Sequence, residues 1–211
     1  MAKKLQLPVQ LLFLTLFIIL IATGRVQVWV GIFLIGLVGS LFLGRFYCGW
    51  FCPINTVMNG VTWIKETLGI KKQRTPVALT RPWVRYTVLV LFFSLFAFSM
   101  ITGRAIPALP ALFAVGIVVT VFFPEETWHH FLCPYSTILS LPSKGSKYNM
   151  VIDQNNCNSC GICRKICPAD AVQVCDRVYA IDKSSCLVCH DCAVKCRAEA
   201  ICYKSDRKVA V

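Results

Sequence analysis

An all-α membrane bundle of four helices, followed by a small α+β domain, is the architecture this sequence predicts. Three observations carry that reading: four long uncharged apolar stretches, a skewed placement of basic residues between them, and a duplicated cysteine pattern near the end of the chain. The chain has 211 residues, 56% of them hydrophobic and only 15% charged, which separates it from an average soluble domain.

The four uncharged stretches are residues 5–24, 26–44, 86–103 and 105–124. Each is about 18 to 20 residues, long enough for a helix to cross roughly 30 Å of hydrocarbon. Four such stretches without a polar face do not suit the core helices of a soluble protein. Lys3 and Lys4 precede the first, as in a signal peptide, but no small-residue cleavage site follows, so it reads as a retained helix.

Orientation follows from the basic residues. Lys3 and Lys4 precede the first stretch, and Arg45, Lys65, Lys71, Lys72, Arg74, Arg81 and Arg85 lie between the second and third. The two opposite loops hold only Arg25 and Arg104. The positive-inside rule then places both termini in the cytoplasm of a multi-pass protein of the cytoplasmic (inner) membrane. Net charge is +12, of which residues 1–143 contribute +8. That charge sits where it anchors helices and meets anionic lipid, so membrane lipid is the expected partner and nucleic acid is not.

Thirteen cysteines would suggest disulfides in a secreted protein, but here the cysteine-rich part falls on the reducing side, where metal or redox chemistry is expected. "VIDQNNCNSCGICRKICPADAV" (151–172) aligns with "AIDKSSCLVCHDCAVKCRAEAI" (180–201) at a period of 29. Both halves read C-x2-C-x2-C-x3-C. In this two-cluster ferredoxin pattern the fourth cysteine of each half ligates the other half's cluster. One [4Fe–4S] cluster is therefore assigned to Cys157, Cys160, Cys163 and Cys196, and a second to Cys186, Cys189, Cys192 and Cys167. Zinc sites use separated C-x2-C pairs, not such triplets. Pro168 follows the first fourth cysteine, whereas Arg197 follows the second. Cys175 and Cys202 do not match across the repeat and read as buried apolar residues; His190 reads as solvated.

Two further motifs end the second and fourth stretches, "FYCGWFCPIN" (46–55) and "HHFLCPYS" (129–136). Cys48 and Cys52 are spaced i, i+4 before Pro53; His129 and Cys133 are spaced identically before Pro134. Residues so spaced lie on one helix face about 5–6 Å apart, which suits two ligands of one cubane. A third iron–sulfur cluster held by Cys48, Cys52, Cys133 and His129 is one reading, with His130 a competing ligand. Interfacial packing is another, and redox-active thiols or another metal a third. Gly36, Ser40 and Gly44 form a small-residue seam leading to Cys48 and Cys52.

The domains read as 1–133 helical membrane region, 134–150 linker and 151–211 two-cluster ferredoxin-like domain. With its cytoplasmic C-x3-C-P motif and "CNSCGICRKICP", the whole chain resembles the NapH-type membrane ferredoxins. In its second motif His129 stands where that family has a cysteine. The resemblance implies electron transfer between membrane quinone and an iron–sulfur partner, as a component of a quinone-linked oxidoreductase complex with other redox subunits. A quinone site needs an aromatic cleft, for which Phe46, Tyr47, Trp50 and Phe51 are available, and a proton-handling group, for which Glu125 or Glu126 is. A membrane reductase that matures a metalloprotein, using Cys48 and Cys52 as thiols, and a purely structural anchor are the alternatives.

Overall fold

A computed structural model describes residues 2–70, 75–102, 108–175 and 178–205. Lys71, Lys72, Arg74 and Arg104, used above for orientation, lie outside the described residues. Each uncharged stretch is helical: α1 (Ala2–Ala22), α2 (Gln27–Leu43), α5 (Pro82–Thr102) and α6 (Ala108–Phe122). Between them run α3 (Phe46–Trp50) and α4 (Pro53–Thr67), and a π-helix (Thr127–Leu132) leads into α7 (Pro134–Ser143). Among the described residues one segment, Lys3–Ala22, is long and apolar enough by itself to cross a membrane; α2, α6 and the Trp83–Ser99 part of α5 are shorter apolar helices.

α4 packs on α6 and α1, α2 packs on α7, and α5 packs on the π-helix and α7. The apolar residues of these helices face two ways. Phe17, Trp29 and Phe33 turn inward, while Leu12, Ile35, Val90 and Ile101 stay largely exposed. Such a wide apolar exterior is what a membrane or a partner surface covers. Of the small-residue seam, Gly36 lies against the Tyr47 ring, where a Cβ would come within 2.6 Å, and Ser40 is buried. Gly44 ends α2 at φ +69°, a left-handed conformation that turns the chain into α3 and favours glycine.

Residues 134–150, expected as a linker, instead hold α7 and the start of a strand. The proline that stops the preceding helix is well placed to open the next, because at N1 its missing N–H costs no intrahelical bond. Cys133 is the N-cap of α7, and Leu139 and Ser143 are fully buried along it.

The ferredoxin-type region comprises β1 (Tyr148–Ile152), α8 (Ile162–Ile166), β2 (Val172–Cys175), β3 (Val178–Ile181), α9 (Asp191–Lys195) and β4 (Ile201–Ser205). β1 pairs antiparallel with β4 and β2 with β3, giving two two-stranded sheets. The 29-residue repeat is also written in the backbone: positive φ recurs at Ser159 and Val188, Gly161 and His190, and Asp170 and Glu199. The same tight loops are thus built twice, the second time with a histidine where the first has glycine.

This region is fastened to the helices along one face. Trp50 Nε1 donates to Val188 O at 3.1 Å, Tyr203 Oη to Leu43 O at 3.0 Å, and Lys3 pairs with Asp191. Gly49 touches the loop so closely that a Cβ there would lie 2.3 Å from Leu187 O. Any side chain at position 49 would push the two regions apart.

Candidate functional site: three cysteine-lined centres

Two recesses in the ferredoxin-type region gather cysteines across the repeat. One is lined by Cys157, Cys160, Cys163 and Cys196 among its walls. The other is lined by Cys167, Cys186, Cys189 and Cys192. These are the crossed sets that the motif predicts, produced because α8 and α9 pack on each other and carry Cys167 and Cys196 into the opposite halves. Desolvation, with a smaller contribution from neighbouring thiols that include Cys167, raises the Cys186 and Cys192 thiols to about 12. Bare thiolates are therefore disfavoured in this recess, whereas a cationic iron core would stabilise them.

Cys175 and Cys202 stay outside both recesses. Cys202 is half-buried on β4 opposite Val151, but Cys175 is exposed at the end of β2, so the expectation of burial fails there. Position 175 is the last residue of β2, and repeat matching says nothing about exposure there. His190 is not simply solvated either: its ring packs edge-on against Trp50 at 6.1 Å and Tyr203 at 5.9 Å.

The two motifs end in the same turn, although Cys48 lies on the α-helix α3 and His129 on the π-helix. Cys52 N–H reaches back five residues to Tyr47 O at 3.0 Å, and Cys133 N–H reaches back five to Trp128 O at 2.9 Å. Both cysteines have extended backbones, φ/ψ −72°/116° and −80°/113°, and both cap a helix with proline at its first position. Thr56 and Thr137 then close each turn through bonds to the carbonyls of Cys52 and Cys133. In this superposition of chemistry His129 occupies the place of Cys48. The wide π-type turn is a frequent feature of functional sites.

Cys48, Cys52, Cys133 and His129 are all buried, at 5%, 7%, 7% and 3% exposure. The three thiols belong to one packed cluster that also contains Leu187, with Cys167 and Cys189 at its border. Burial, and after it the neighbouring Cys48 and Cys133, push the Cys52 thiol far up. Burial first, then the Arg45 charge, hold His129 down to about 3, so its imidazole is the neutral, ligating form. His129 Nε2 is buried without a hydrogen-bond partner, an open donor position that a metal centre would fill. Among the described residues no three His, Cys, Asp or Glu side chains gather tightly enough for a single metal ion. His130, the competing ligand, is less buried and stacks on Phe131.

The aromatic residues expected to form a quinone cleft are used elsewhere. Phe46 stacks on Trp50 at 4.8 Å, Trp50 holds the ferredoxin loop, and the buried Tyr47 hydroxyl accepts from Trp29 Nε1 at 2.9 Å. Glu125 and Glu126 instead line a solvent-open cleft of ≈ 1190 Å³ with Trp63, Lys65, Lys165 and Cys167. Its acids and its aromatic ring come from segments far apart in sequence, so only the fold shows that they meet.

A family model described as a 4Fe-4S binding domain matches residues 26–71, covering Cys48 and Cys52. A second 4Fe-4S binding domain matches residues 150–173, covering Cys157 to Cys167. An uncharacterized protein of Methanocaldococcus jannaschii is 26% identical over 183 residues, 83% of this chain and 70% of that protein. The methylamine utilization ferredoxin-type protein MauN of Methylorubrum extorquens is 29% identical over 164 residues, 69% of this chain and 56% of MauN. The ferredoxin-type protein NapH of Haemophilus influenzae is 27% identical over 158 residues, 66% of this chain and 53% of NapH. The chain thus spans little more than half the length of these two bacterial relatives. No solved structure matches.

The chain thus combines a helical N-terminal region with segments that match 4Fe-4S binding domains, and it is similar to ferredoxin-type proteins. Within that class its relatives include NapH and MauN, which bears out the resemblance to NapH-type ferredoxins read from the motifs.

Proposed function

We propose that this protein is a membrane-bound electron relay with three iron–sulfur centres, working between a cytoplasmic redox partner and quinone in the bilayer. Cys157, Cys160, Cys163 and Cys196 ligate the outer cluster, and Cys186, Cys189, Cys192 and Cys167 the middle one. Cys48, Cys52, Cys133 and His129 ligate the innermost. α1, α2, α5 and α6 are the four spans, residues 151–211 form the cytoplasmic ferredoxin domain, and both termini are cytoplasmic. The observation that carries the reading is the contact of Gly49 and Trp50, between the innermost ligands, with Leu187 and Val188, between two ligands of the middle set. That contact leaves no solvent gap to cross. A [4Fe–4S] core supplies one-electron storage at each station when bound.

The cleft of Trp63, Lys65, Glu125, Glu126, Lys165 and Cys167 is the quinone head-group site of this proposal. If a quinol is oxidised there, its two protons would pass to the Glu125 and Glu126 carboxylates and its two electrons, one at a time, to the middle cluster that Cys167 would help to hold, which would exchange them with the innermost and outer centres. A thiol-active maturation reductase is supported less well, because its thiols would need to be reachable and Cys48, Cys52 and Cys133 are no more than 7% exposed.

Fully loaded protein in lipid nanodiscs tests the relay. Adding a short-chain quinol to the oxidised protein is expected to produce the EPR signals of reduced clusters, and Glu125→Gln with Glu126→Gln to slow their appearance at least tenfold. Signals that never appear, with dithionite still reducing every cluster, would remove quinone from the function. Placement has its own test. Reporter fusions after Lys72 and after Val211 are expected to read as cytoplasmic and one after Arg104 as the opposite side. A periplasmic C-terminus would overturn the placement of the ferredoxin domain.

A further inference from the structure

Arg45 follows Gly44 at the end of α2, where a basic residue normally faces lipid headgroups and water. It is instead 2% exposed. Its Nη1 donates to Ser184 O at 3.0 Å and Ser185 O at 3.2 Å, the two carbonyls just before Cys186. Its Nη2 meets Ser136 Oγ and lies 4.0 Å from Cys48 Sγ. Ser136 Oγ in turn donates to the carbonyl of His129. Nε is buried without a partner. One guanidinium therefore reaches a thiol and the histidine backbone of the innermost set, and the loop that carries Cys186 of the middle set.

These hydrogen-bond partners are two carbonyls, a hydroxyl and a thiol, none of them a carboxylate. A buried cation bonded only to neutral groups is strongly unfavourable, and an anion beside it removes most of the penalty. Asp182 feels the charge, since Arg45 helps to hold its carboxyl low, but it is more strongly engaged by the hydroxyls of Ser184 and Ser185 and the Ser184 N–H. The groups that would become anionic at this point are the thiolates of the two neighbouring cysteine sets, and they become more so each time an electron arrives. Lysine cannot reproduce the arrangement: a planar fork reaches two sides at once, whereas an ammonium reaches one.

We infer that Arg45 is the positioning residue that couples the innermost centre to the middle one: its fixed positive charge favours their reduced states, and its fork holds the Cys186 loop against Cys48. This inference rests on the three-centre reading above. In EPR-monitored redox titration of the full chain, Arg45→Met is expected to lower the midpoint potential of the innermost centre most, that of the middle centre less, and that of the outer centre not at all. Arg45→Lys restores much of the potential, because the charge returns. The magnetic interaction between innermost and middle centres stays weakened, because the fork does not return. Arg45→Gln, which keeps a donor for Ser184 O, is the second neutral variant should methionine cost the protein its iron. Iron lost from both neutral variants and kept by Arg45→Lys is the same result read as occupancy. Potentials unchanged in the neutral variants, or shifted equally by lysine and methionine, would overturn the role of the charge while leaving the three centres standing. A wild-type iron content showing two clusters only would overturn the three-centre reading and this inference together.

Discussion

Cys196→Ser is expected to destroy the cluster of Cys157, Cys160 and Cys163, about 40 residues upstream, and to spare the cluster of its own sequence neighbours. The physical reason is the mutual packing of α8 and α9, which delivers each fourth cysteine into the other half's recess. Cys167→Ser mirrors it and removes the cluster of Cys186, Cys189 and Cys192. The readout is EPR on anaerobically purified protein, in which the interaction between the two reduced cubanes also disappears with either one. The two losses differ in consequence. The recess with Cys196 includes the exposed Cys160, which in the proposed relay would make it the outer port, whereas the recess with Cys167 faces the helical region. Cys175→Ala and Cys202→Ala serve as controls and should leave both clusters intact, each within about 1 kcal/mol of wild-type stability. Loss of a cubane signal in either control would mean that repeat symmetry is not a guide to the ligands.

How far the sequence could be read depended on whether a feature was local. The four apolar stretches became α1, α2, α5 and α6 with ends displaced by only a few residues, because an unbroken uncharged run fixes helix by its own composition. The eight ferredoxin cysteines were legible for a similar reason: each triplet is a short loop, and the 29-residue repeat relates one half to the other. Non-local features were hidden. Arg45 reads as one more interfacial charge, and only a loop 139 residues further on, at Ser184, makes it buried. The cleft holding Glu125, Glu126, Trp63 and Lys65 is assembled from the end of α4, the turn after α6 and α8, so no local stretch of sequence announces it. Helix α7 was missed because proline after cysteine was read only as a stop.

The same contrast frames the innermost centre. Equal spacing and equal prolines suggested that His129–Cys133 repeats Cys48–Cys52, and the matched five-residue hydrogen bonds of Cys52 and Cys133 give that suggestion a structural basis. If the four side chains share one [4Fe–4S] core, loaded protein contains about 12 iron atoms, against about 8 for the ferredoxin domain alone. Cys48→Ala, Cys52→Ala and Cys133→Ala are each expected to lower the count to about 8 while the signals of the other two clusters persist. His129→Cys separates a ligand from a mere neighbour. It should keep the full iron content and lower the potential of this centre, because a thiolate returns the negative charge that a neutral imidazole withholds. A cysteine at 129 is also a severe test of geometry, since its sulfur must occupy the place that Cys48 Sγ holds in the matching motif. His129→Ala leaves three thiolates and an open iron, so this centre should survive strict anaerobiosis and decay first in air, ahead of the two ferredoxin clusters. A count near 8 in fully loaded wild type, unmoved by Cys48→Ala, would make these buried thiols packing residues and shorten the relay to two stations.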